Sequence, residues 1–208
     1  MNKLKKGLLV VFEGIDGSGK STQVSMLKLK LTLLDYNNTL LSEPTNGCYG
    51  RTIKNAGKEM FTNKQLSELF LRDRMEDVLY NIRPLLEIKE IVILDRYYFS
   101  NIAYQGRHSI CEIRYLNELF APKPDIVFLF DLDEGLALQR IKDSKRKIDN
   151  YFEEITNLKK VREVYNTLED DFIVKIDANR SKEAIHIQIM GMVNELIKER
   201  IEVDENII

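Results

Sequence analysis

A glycine-rich segment near the N-terminus constrains the fold of this chain more than any other feature of the sequence. Residues 12–22 read FEGIDGSGKST, so four residues separate Gly14 from Gly19, and Lys20 and Ser21 follow. That spacing is typical of a phosphate-binding P-loop. Five apolar residues precede the loop and a helical apolar pattern follows it, which places the glycines between a buried strand and a helix. Backbone N–H groups and the helix N-terminus then point at one volume suited to a polyphosphate.

The P-loop pattern predicts roles for individual side chains. Lys20 is expected to reach the terminal phosphates, and Ser21 is expected to ligate Mg²⁺. Asp95 directly follows an apolar run at 91–94. If the first strand carries a P-loop, a carboxylate at this position is expected to be the second Mg²⁺ ligand. The residues predicted to bind the nucleotide in this loop are Gly14, Asp16, Gly17, Ser18, Gly19, Lys20, Ser21 and Thr22.

Five apolar segments alternate with helical patterns along the chain. They lie at residues 8–12, 39–42, 91–94, 125–132 and 172–176. This alternation predicts an α/β fold with a five-stranded parallel sheet flanked by helices, the three-layer architecture of P-loop NTPases. Ligands of such folds bind at the carboxyl ends of the strands, so we expect the site there.

A helical pattern covers residues 64 to 89 and contains one proline. Pro84 is expected to kink this helix or to split it in two. The residues predicted to form its apolar face are Leu66, Leu69, Phe70, Met75, Val78 and Leu79.

Length and composition limit the classes of function. At 208 residues with no composition shift, residues 1–208 are expected to form a single domain. The net charge is −2, whereas proteins that bind nucleic acid or a membrane surface typically carry an excess of positive charge, so neither partner is expected. Cys48 and Cys111 are far apart and only two histidines occur, which argues against a disulfide scaffold or a zinc site. A reducing cytoplasm is the simplest setting.

Two basic features accompany these motifs. Arg96 follows Asp95, where a guanidinium could hold an acceptor phosphate bidentately or could form a structural salt bridge. The basic run Arg140, Lys142, Lys145, Arg146 and Lys147 follows the fourth apolar segment. It is either a solvated face or a lid, at about 141–152, that excludes water from a phosphoryl transfer and supplies a cation.

Two motifs of this chain resemble motifs of thymidylate kinases and occur in the same order along the sequence as in that family. FEGIDGSGKSTQ at 12–23 resembles the P-loop of that family, and DRYYFSNIAYQG at 95–106 is similar to its second signature. The similarity extends to the Glu43–Pro44 pair, to Phe70 with Arg74 four residues later, to residues 121–125 and to residues 177–178. It therefore covers most of the chain.

The resemblance implies an ATP- and Mg²⁺-dependent enzyme that transfers the γ-phosphoryl group to dTMP, giving dTDP. Phe70 would stack on thymine, Arg74 would hydrogen-bond the edge of the ring, and Arg140 would lie against adenine. Because Gly17 stands where one branch of the family has arginine, the lid residue Arg146 would supply the transition-state cation. The implied catalytic residues are Asp16, Lys20, Arg96 and Arg146. The implied substrate-binding residues are Glu43, Pro44, Arg51, Phe70, Arg74, Arg96, Asn101, Tyr104, Gln105 and Tyr151. Enzymes of this family are commonly homodimers, so we expect one here.

Three alternatives follow from the same residues. A deoxynucleoside kinase would use Glu43 as the general base for a 5′-hydroxyl. A kinase for another deoxynucleoside monophosphate would share the reaction but not the base. A nucleotide-dependent switch is disfavoured because the chain lacks the Asn-Lys-x-Asp and Asp-x-x-Gly motifs expected of a GTPase.

Overall fold

The computed structural model describes residues 4–57, 60–106, 109–144 and 151–201. Within these ranges five strands form one parallel sheet in the order β2-β3-β1-β4-β5. The strands are β1 (Leu8–Gly14), β2 (Asn38–Ser42), β3 (Ile91–Asp95), β4 (Ile126–Asp131) and β5 (Ile173–Asp177). The predicted α/β fold with a five-stranded parallel sheet is confirmed, and each predicted strand overlaps an observed one.

Helices cover both faces of the sheet. All seven residues of β1 are buried, and because successive side chains of a strand point to opposite faces, both faces must be covered. The helices of the described residues are α1 (Lys20–Leu33), α2 (Cys48–Lys54), α3 (Asn63–Asp77), α4 (Arg83–Glu87), α5 (Tyr98–Gln105), α6 (Ile110–Glu118), α7 (Glu134–Asp143), α8 (Tyr151–Asn166) and α9 (Lys182–Lys198). Among these helices, none combines the length and the apolar character needed to cross a membrane.

The register of the sheet brings the sequence motifs to one edge. Phe12 of β1 pairs with Asp95 of β3, and Ser42 of β2 pairs with the same Asp95. The P-loop, the Glu43–Pro44 pair and Asp95–Arg96 therefore all leave the sheet at its carboxyl edge. The Glu43–Pro44 peptide bond is cis.

The predicted long helix is interrupted near its proline. After α3 the chain forms a π-helical turn, Val78–Ile82, and Pro84 lies in the first turn of α4; the backbone stays helical through both junctions, so the helix changes its hydrogen-bond pattern before the proline and is not split in two. A proline cannot donate the backbone hydrogen bond that a continuous helix would require there.

The predicted apolar face of this helix is wrong in part. Met75 and Leu79 are 49% and 59% exposed, although Val78 is buried. The buried side chains of α3 are instead Asp73, Arg74 and Asp77. The side chain of Asp73 accepts hydrogen bonds from Thr45, and that of Arg74 binds Glu43. These contacts with the end of β2 turn the polar face inward, so apolar spacing alone pointed to the wrong side.

Candidate active site

The P-loop backbone depends on glycine where α7 approaches it. Gly17 has a φ of +79°, in the left-handed region. A Cβ on Gly17 would lie 2.3 Å from the carbonyl oxygen of Ala137, in α7. An arginine at this position would therefore require α7 to move. This fits the prediction that the transition-state cation comes from elsewhere, although Arg146 lies outside the described residues.

Lys20 is held against the loop that it follows. Its Nζ donates hydrogen bonds to the carbonyl oxygens of Gly14 and Ile15, each at 2.8 Å. Burial lowers the pKa of Lys20 to about 7, helped by the positive charge of Arg96 and opposed by the nearby carboxylates, including Asp16. A phosphate placed here would restore the charge of this ammonium group.

Ser21 and Asp95 supply the oxygen atoms expected of a Mg²⁺ site. The Ser21 hydroxyl donates a hydrogen bond of 2.8 Å to Oδ2 of Asp95. Mg²⁺ prefers oxygen ligands and binds through one or two carboxylates together with substrate phosphates. In the part of the chain that the structure describes, no three histidine, cysteine or acidic side chains are grouped to hold a metal. The donor set therefore fits an ion whose other ligands come from phosphate and water.

A cavity of about 420 Å³ opens over the P-loop. Arg140 of α7 borders it and donates a hydrogen bond to the carbonyl oxygen of Ala178, just after β5. The lining residues are Asp16, Gly17, Gly19, Lys20, Ser21, Thr22, Ser42, Glu43, Asp95, Arg96, Arg140, Ile141 and Ser144. Gly14 and Ser18 belong to the loop but do not line the cavity.

A second cavity of about 200 Å³ lies beside the first. It is lined by Asp16, Glu43, Pro44, Phe70, Arg74, Arg96, Tyr97, Ser100, Tyr104 and Gln105. The structure thus brings together most of the side chains predicted to bind the substrate. Asp16, Glu43 and Arg96 line both cavities, so the two spaces meet at these residues.

Arg96 is fixed at this junction from two sides. Its φ of +74° places its backbone in the left-handed region. One guanidinium nitrogen, Nη2, donates to Oδ1 of Asp16 at 2.5 Å, and the other, Nη1, donates to Oγ of Ser100 at 2.9 Å. Burial acts to lower the pKa of Arg96, but the surrounding Tyr104 and Asp16 outweigh it and raise the pKa. The side chain is 18% exposed, so a charged, oriented guanidinium faces the cavities.

Arg74 and Glu43 form a buried ion pair at the wall of the second cavity. Nε of Arg74 donates to both carboxylate oxygens of Glu43, at 3.0 and 2.9 Å, and Nη2 also binds the carboxylate. Nη1 donates to Oδ1 of Asn117 at 2.6 Å. Burial raises the pKa of Glu43 to about 7, while Arg74 opposes the shift. Arg74 itself is 1% exposed.

Some predicted site residues are not brought to these cavities. Asn101 borders a neighbouring cavity of about 510 Å³, which it shares with Gln105. Arg51 is exposed on α2, donates a hydrogen bond to the carbonyl oxygen of Asn46 and lines neither cavity. Arg146 and the side chain of Tyr151 lie outside the described residues. Their roles stay predictions.

The buried polar residues that hold the two arginines of the site in place were not identified from the sequence. Glu13, Ser100, Asn117 and Tyr165 are all buried and hydrogen-bonded to one another or to the two arginines. Glu13 left a signal in the sequence, because an acidic residue that extends a buried apolar strand needs partners. Ser100 stands in the motif at 95–106, whereas Asn117 and Tyr165 stand in ordinary helical patterns.

Comparison with known proteins agrees with this geometry. The family model described as Thymidylate kinase matches residues 12–189, which include every element from the P-loop to the middle of α9. The chain belongs to the thymidylate kinase family. Curated members cover nearly its whole length. It is 36% identical over 192 residues to a protein of Archaeoglobus fulgidus described as a probable thymidylate kinase, with 91% of this chain and 96% of that protein covered.

Two bacterial members of the thymidylate kinase family are similarly close. The thymidylate kinase of Desulfotalea psychrophila is 37% identical over 196 residues, which cover 92% of this chain and 96% of that protein. The thymidylate kinase of Akkermansia muciniphila is 37% identical over 188 residues, with 89% and 90% covered. The P-loop, Asp95–Arg96 and the two adjoining cavities all fall inside the aligned family segment.

Proposed function

We propose that this chain transfers the γ-phosphoryl group of ATP to the 5′-phosphate of dTMP, giving ADP and dTDP. The observation that carries the proposal is that Asp16 and Arg96 line both the P-loop cavity and the cavity beside it. A kinase needs a donor phosphate and an acceptor phosphate to meet at one point. In this site they would meet at Arg96, with the donor on the side of Lys20 and the acceptor on the side of Phe70.

The reaction needs positioning and charge neutralisation more than it needs a base. A phosphate monoester has a second pKa of about 6, so the acceptor is mostly dianionic at neutral pH. One of its oxygens bonds to the γ-phosphorus while the bond from that phosphorus to the β–γ bridging oxygen breaks, and ADP leaves. Lys20 would hold the donor phosphates and Arg96 the acceptor phosphate, so that the two reactants lie in line.

Ser21 and Asp95 would hold Mg²⁺ against the donor phosphates. The bound ion would neutralise charge that develops on the phosphate oxygens during transfer. Asp95 accepts a hydrogen bond from the Ser21 hydroxyl, and both residues line the cavity over the P-loop.

The second cavity would take the nucleoside part of dTMP. Phe70 would stack on the thymine ring, and Arg74 would donate to the edge of that ring. Tyr104 and Gln105 border the same space, and Asn101, which lines the neighbouring cavity, donates a hydrogen bond of 3.1 Å to Gln105. Arg140, tied to Ala178, would lie against adenine in the donor cavity.

Glu43 lacks the arrangement of a general base for a nucleoside 5′-hydroxyl. Its side chain is 3% exposed and both of its carboxylate oxygens accept hydrogen bonds from Arg74. A base must be free to take a proton from the substrate, whereas this carboxylate is committed to orienting Arg74. The ion pair therefore favours a monophosphate acceptor over a nucleoside.

An ADP-release assay with each deoxynucleoside monophosphate and with thymidine tests the proposal. We expect the highest kcat/KM with dTMP and no turnover of thymidine. Turnover of thymidine without turnover of dTMP would overturn the assignment, and a clear preference for another monophosphate would change the substrate but keep the reaction. The assay measures substrate choice directly, independently of any variant.

The affinity for ATP should fall as pH rises above neutrality. Because burial lowers the pKa of Lys20 to about 7, this group is largely neutral at higher pH, and bound phosphates would have to restore its proton. Binding then takes up a proton, so affinity is greatest below the pKa and declines above it. Between about pH 7 and about pH 8.5, where ATP is mostly ionised, we expect a loss of roughly tenfold. Calorimetry in buffers of different ionisation enthalpy measures the proton uptake.

The Lys20→Met variant is the control for this pH effect. It should bind ATP more weakly at every pH, but its affinity should no longer decline over that range, since the titrating group is gone. If the variant kept the decline, another group would be responsible.

We also propose that the chain works as a homodimer. Exposed apolar side chains on α3 and the π-helical turn that follows it, among them Met75, Leu79 and Tyr80, would be covered by a second copy. Leu79→Glu should convert a dimer to a monomer in sedimentation velocity, because a charge cannot be buried cheaply in an apolar interface. Ile187→Glu is the matched control, since Ile187 is an exposed apolar residue of α9. A monomeric parent protein would contradict the proposal.

A reducing cytoplasm is the proposed setting. Cys48 and Cys111 are both free thiols and both exposed, which a reducing compartment preserves. ATP as donor is consistent with the same compartment.

A further inference from the structure

Three buried side-chain oxygens, from Glu13, Ser100 and Tyr165, form a triangle of hydrogen-bonding contacts next to Arg96. The Tyr165 hydroxyl of α8 donates to Oε2 of Glu13 at 2.8 Å and lies 2.9 Å from Oγ of Ser100. Oγ of Ser100 lies 2.6 Å from the same Oε2 of Glu13. Tyr165 is 2% exposed and Glu13 is fully buried. Nothing in the reaction described so far uses this group.

Glu13 joins the triangle to the start of α5. Its other oxygen, Oε1, accepts from the backbone N–H of Tyr97 at 2.7 Å and from that of Ser100 at 3.1 Å. Tyr97 is the N-cap residue of α5 and its own side chain makes no capping bond. Glu13, from β1, therefore caps the N-terminus of α5: it accepts from the N-cap N–H and shares the N–H of Ser100, which also donates to the carbonyl oxygen of Tyr97 at 3.0 Å. The residue immediately before this cap is Arg96.

The triangle also sets the direction of the Ser100 hydroxyl. Nη1 of Arg96 donates to Oγ of Ser100 at 2.9 Å, so this oxygen acts there as an acceptor. A serine hydroxyl has one hydrogen, which must then go to Glu13 or Tyr165. The guanidinium of Arg96 thus donates to Asp16 on the P-loop side and to Ser100 on the α5 side. The hydrogen bond to Ser100 depends on the triangle, because the triangle orients the Ser100 hydroxyl.

We propose that Tyr165 is a positioning residue for Arg96, acting through Ser100 and Glu13. A phenylalanine at this position would fill the core equally well. The hydroxyl of Tyr165 adds two functions, since it orients Ser100 and donates a hydrogen bond to the buried carboxylate of Glu13. This makes α8 part of the support for the acceptor phosphate. The inference rests on the proposed role of Arg96 in holding that phosphate.

Tyr165→Phe tests the inference through binding of each substrate. We expect the Kd for dTMP, measured by calorimetry without ATP, to rise about tenfold, which corresponds to about 1.4 kcal/mol. The Kd for ATP should change less than about twofold, because Arg96 meets the acceptor and the hydroxyl of Tyr165 bonds to Glu13 and Ser100, neither of which lines the cavity over the P-loop. If Tyr165 had only a structural role, its replacement would lower the free energy of unfolding but would not raise the Kd for dTMP more than the Kd for ATP.

Tyr98→Phe is the matched control. The Tyr98 ring is also buried on α5, but its hydroxyl contacts Glu118 at 3.4 Å and does not contact Arg96, Glu13 or Ser100. This variant should bind dTMP like the parent protein. If Tyr165→Phe also bound dTMP like the parent, the positioning role would be wrong.

The route through Ser100 is tested by a double variant. Ser100→Ala removes the oxygen that Nη1 of Arg96 donates to, so it should weaken dTMP binding by itself. Adding Tyr165→Phe to Ser100→Ala should then cause little further loss, because both changes break the same path. Fully additive losses would contradict this path. If the parent protein bound no dTMP, the proposed function would fail before the role of Tyr165 came into question.

Discussion

Replacing Arg96 with alanine is expected to lower kcat/KM for dTMP about 1,000-fold, an effect of the size seen when an arginine that faces a transferring phosphoryl group is removed. Arg96 is the only cation among the described residues that lines both cavities and is fixed from both the P-loop and α5. Its loss would remove the group that holds the acceptor phosphate in line. The ADP-release assay, with dTMP and ATP varied separately, measures the effect.

Two controls distinguish the role of Arg96 from a loss of folding. Arg96→Lys keeps the charge but not the planar fork that can bind Asp16, Ser100 and a phosphate together, so it should recover only part of the activity. Arg114→Ala removes an arginine that pairs with Glu118 and Asp170 and lines none of the cavities described above, so its activity should stay near that of the parent. A near-normal kcat/KM for Arg96→Ala would overturn the assignment of the acceptor phosphate.

The strands and the edge that carries the site follow from local sequence patterns. The apolar runs at 8–12 and 91–94 are continuous because both faces of the central strands are buried, and each is followed by an acidic residue, Glu13 or Asp95, in the last two positions of its strand. The sequence alone therefore places the P-loop and the Asp95–Arg96 pair at the same edge of the sheet. Helix α2 escaped prediction because its seven residues include Gly50 and lack an apolar spacing.

The polar network beneath the site could not be predicted in the same way. Arg74 and Tyr165 are buried because distant residues, Glu43 and Glu13, come to meet them when the sheet forms. A helical pattern records only which side chains are apolar, so it selected Met75 and Leu79 for the core and left Arg74 outside. The pairing of buried charges depends on tertiary contacts across 31 residues for Arg74 and 152 for Tyr165.

Replacing Arg74 with methionine is expected to be the most destabilising single change at the site. Arg74 supplies the neighbouring positive charge for Glu43, while Asp73 and Asp77 add negative charge nearby. Removing one partner of a buried ion pair leaves an uncompensated charge, which costs about 3–5 kcal/mol of unfolding free energy. Urea unfolding followed by circular dichroism at about pH 8, where Glu43 of the parent protein is mostly ionised, measures this loss.

The loss should shrink as pH falls. Burial already raises the pKa of Glu43 to about 7 in the parent protein, and without Arg74 the pKa should rise further. A carboxyl group whose folded-state pKa is raised is easier to bury when protonated, so acid relieves the penalty that the ionised form imposes. At about pH 5 both proteins carry a protonated Glu43, and their stabilities should approach each other.

A double variant separates the charge from the packing of Arg74. Glu43→Gln combined with Arg74→Met leaves no ionised group at this position, so it should recover most of the stability that Arg74→Met loses at about pH 8. The Arg74 guanidinium also lies 5.6 Å from the centre of the Tyr97 ring, a contact that neither variant keeps. If the loss were independent of pH and persisted in the double variant, this packing would be its cause. Recovery with falling pH and in the double variant would instead identify the unpaired Glu43 carboxylate as the source of the instability.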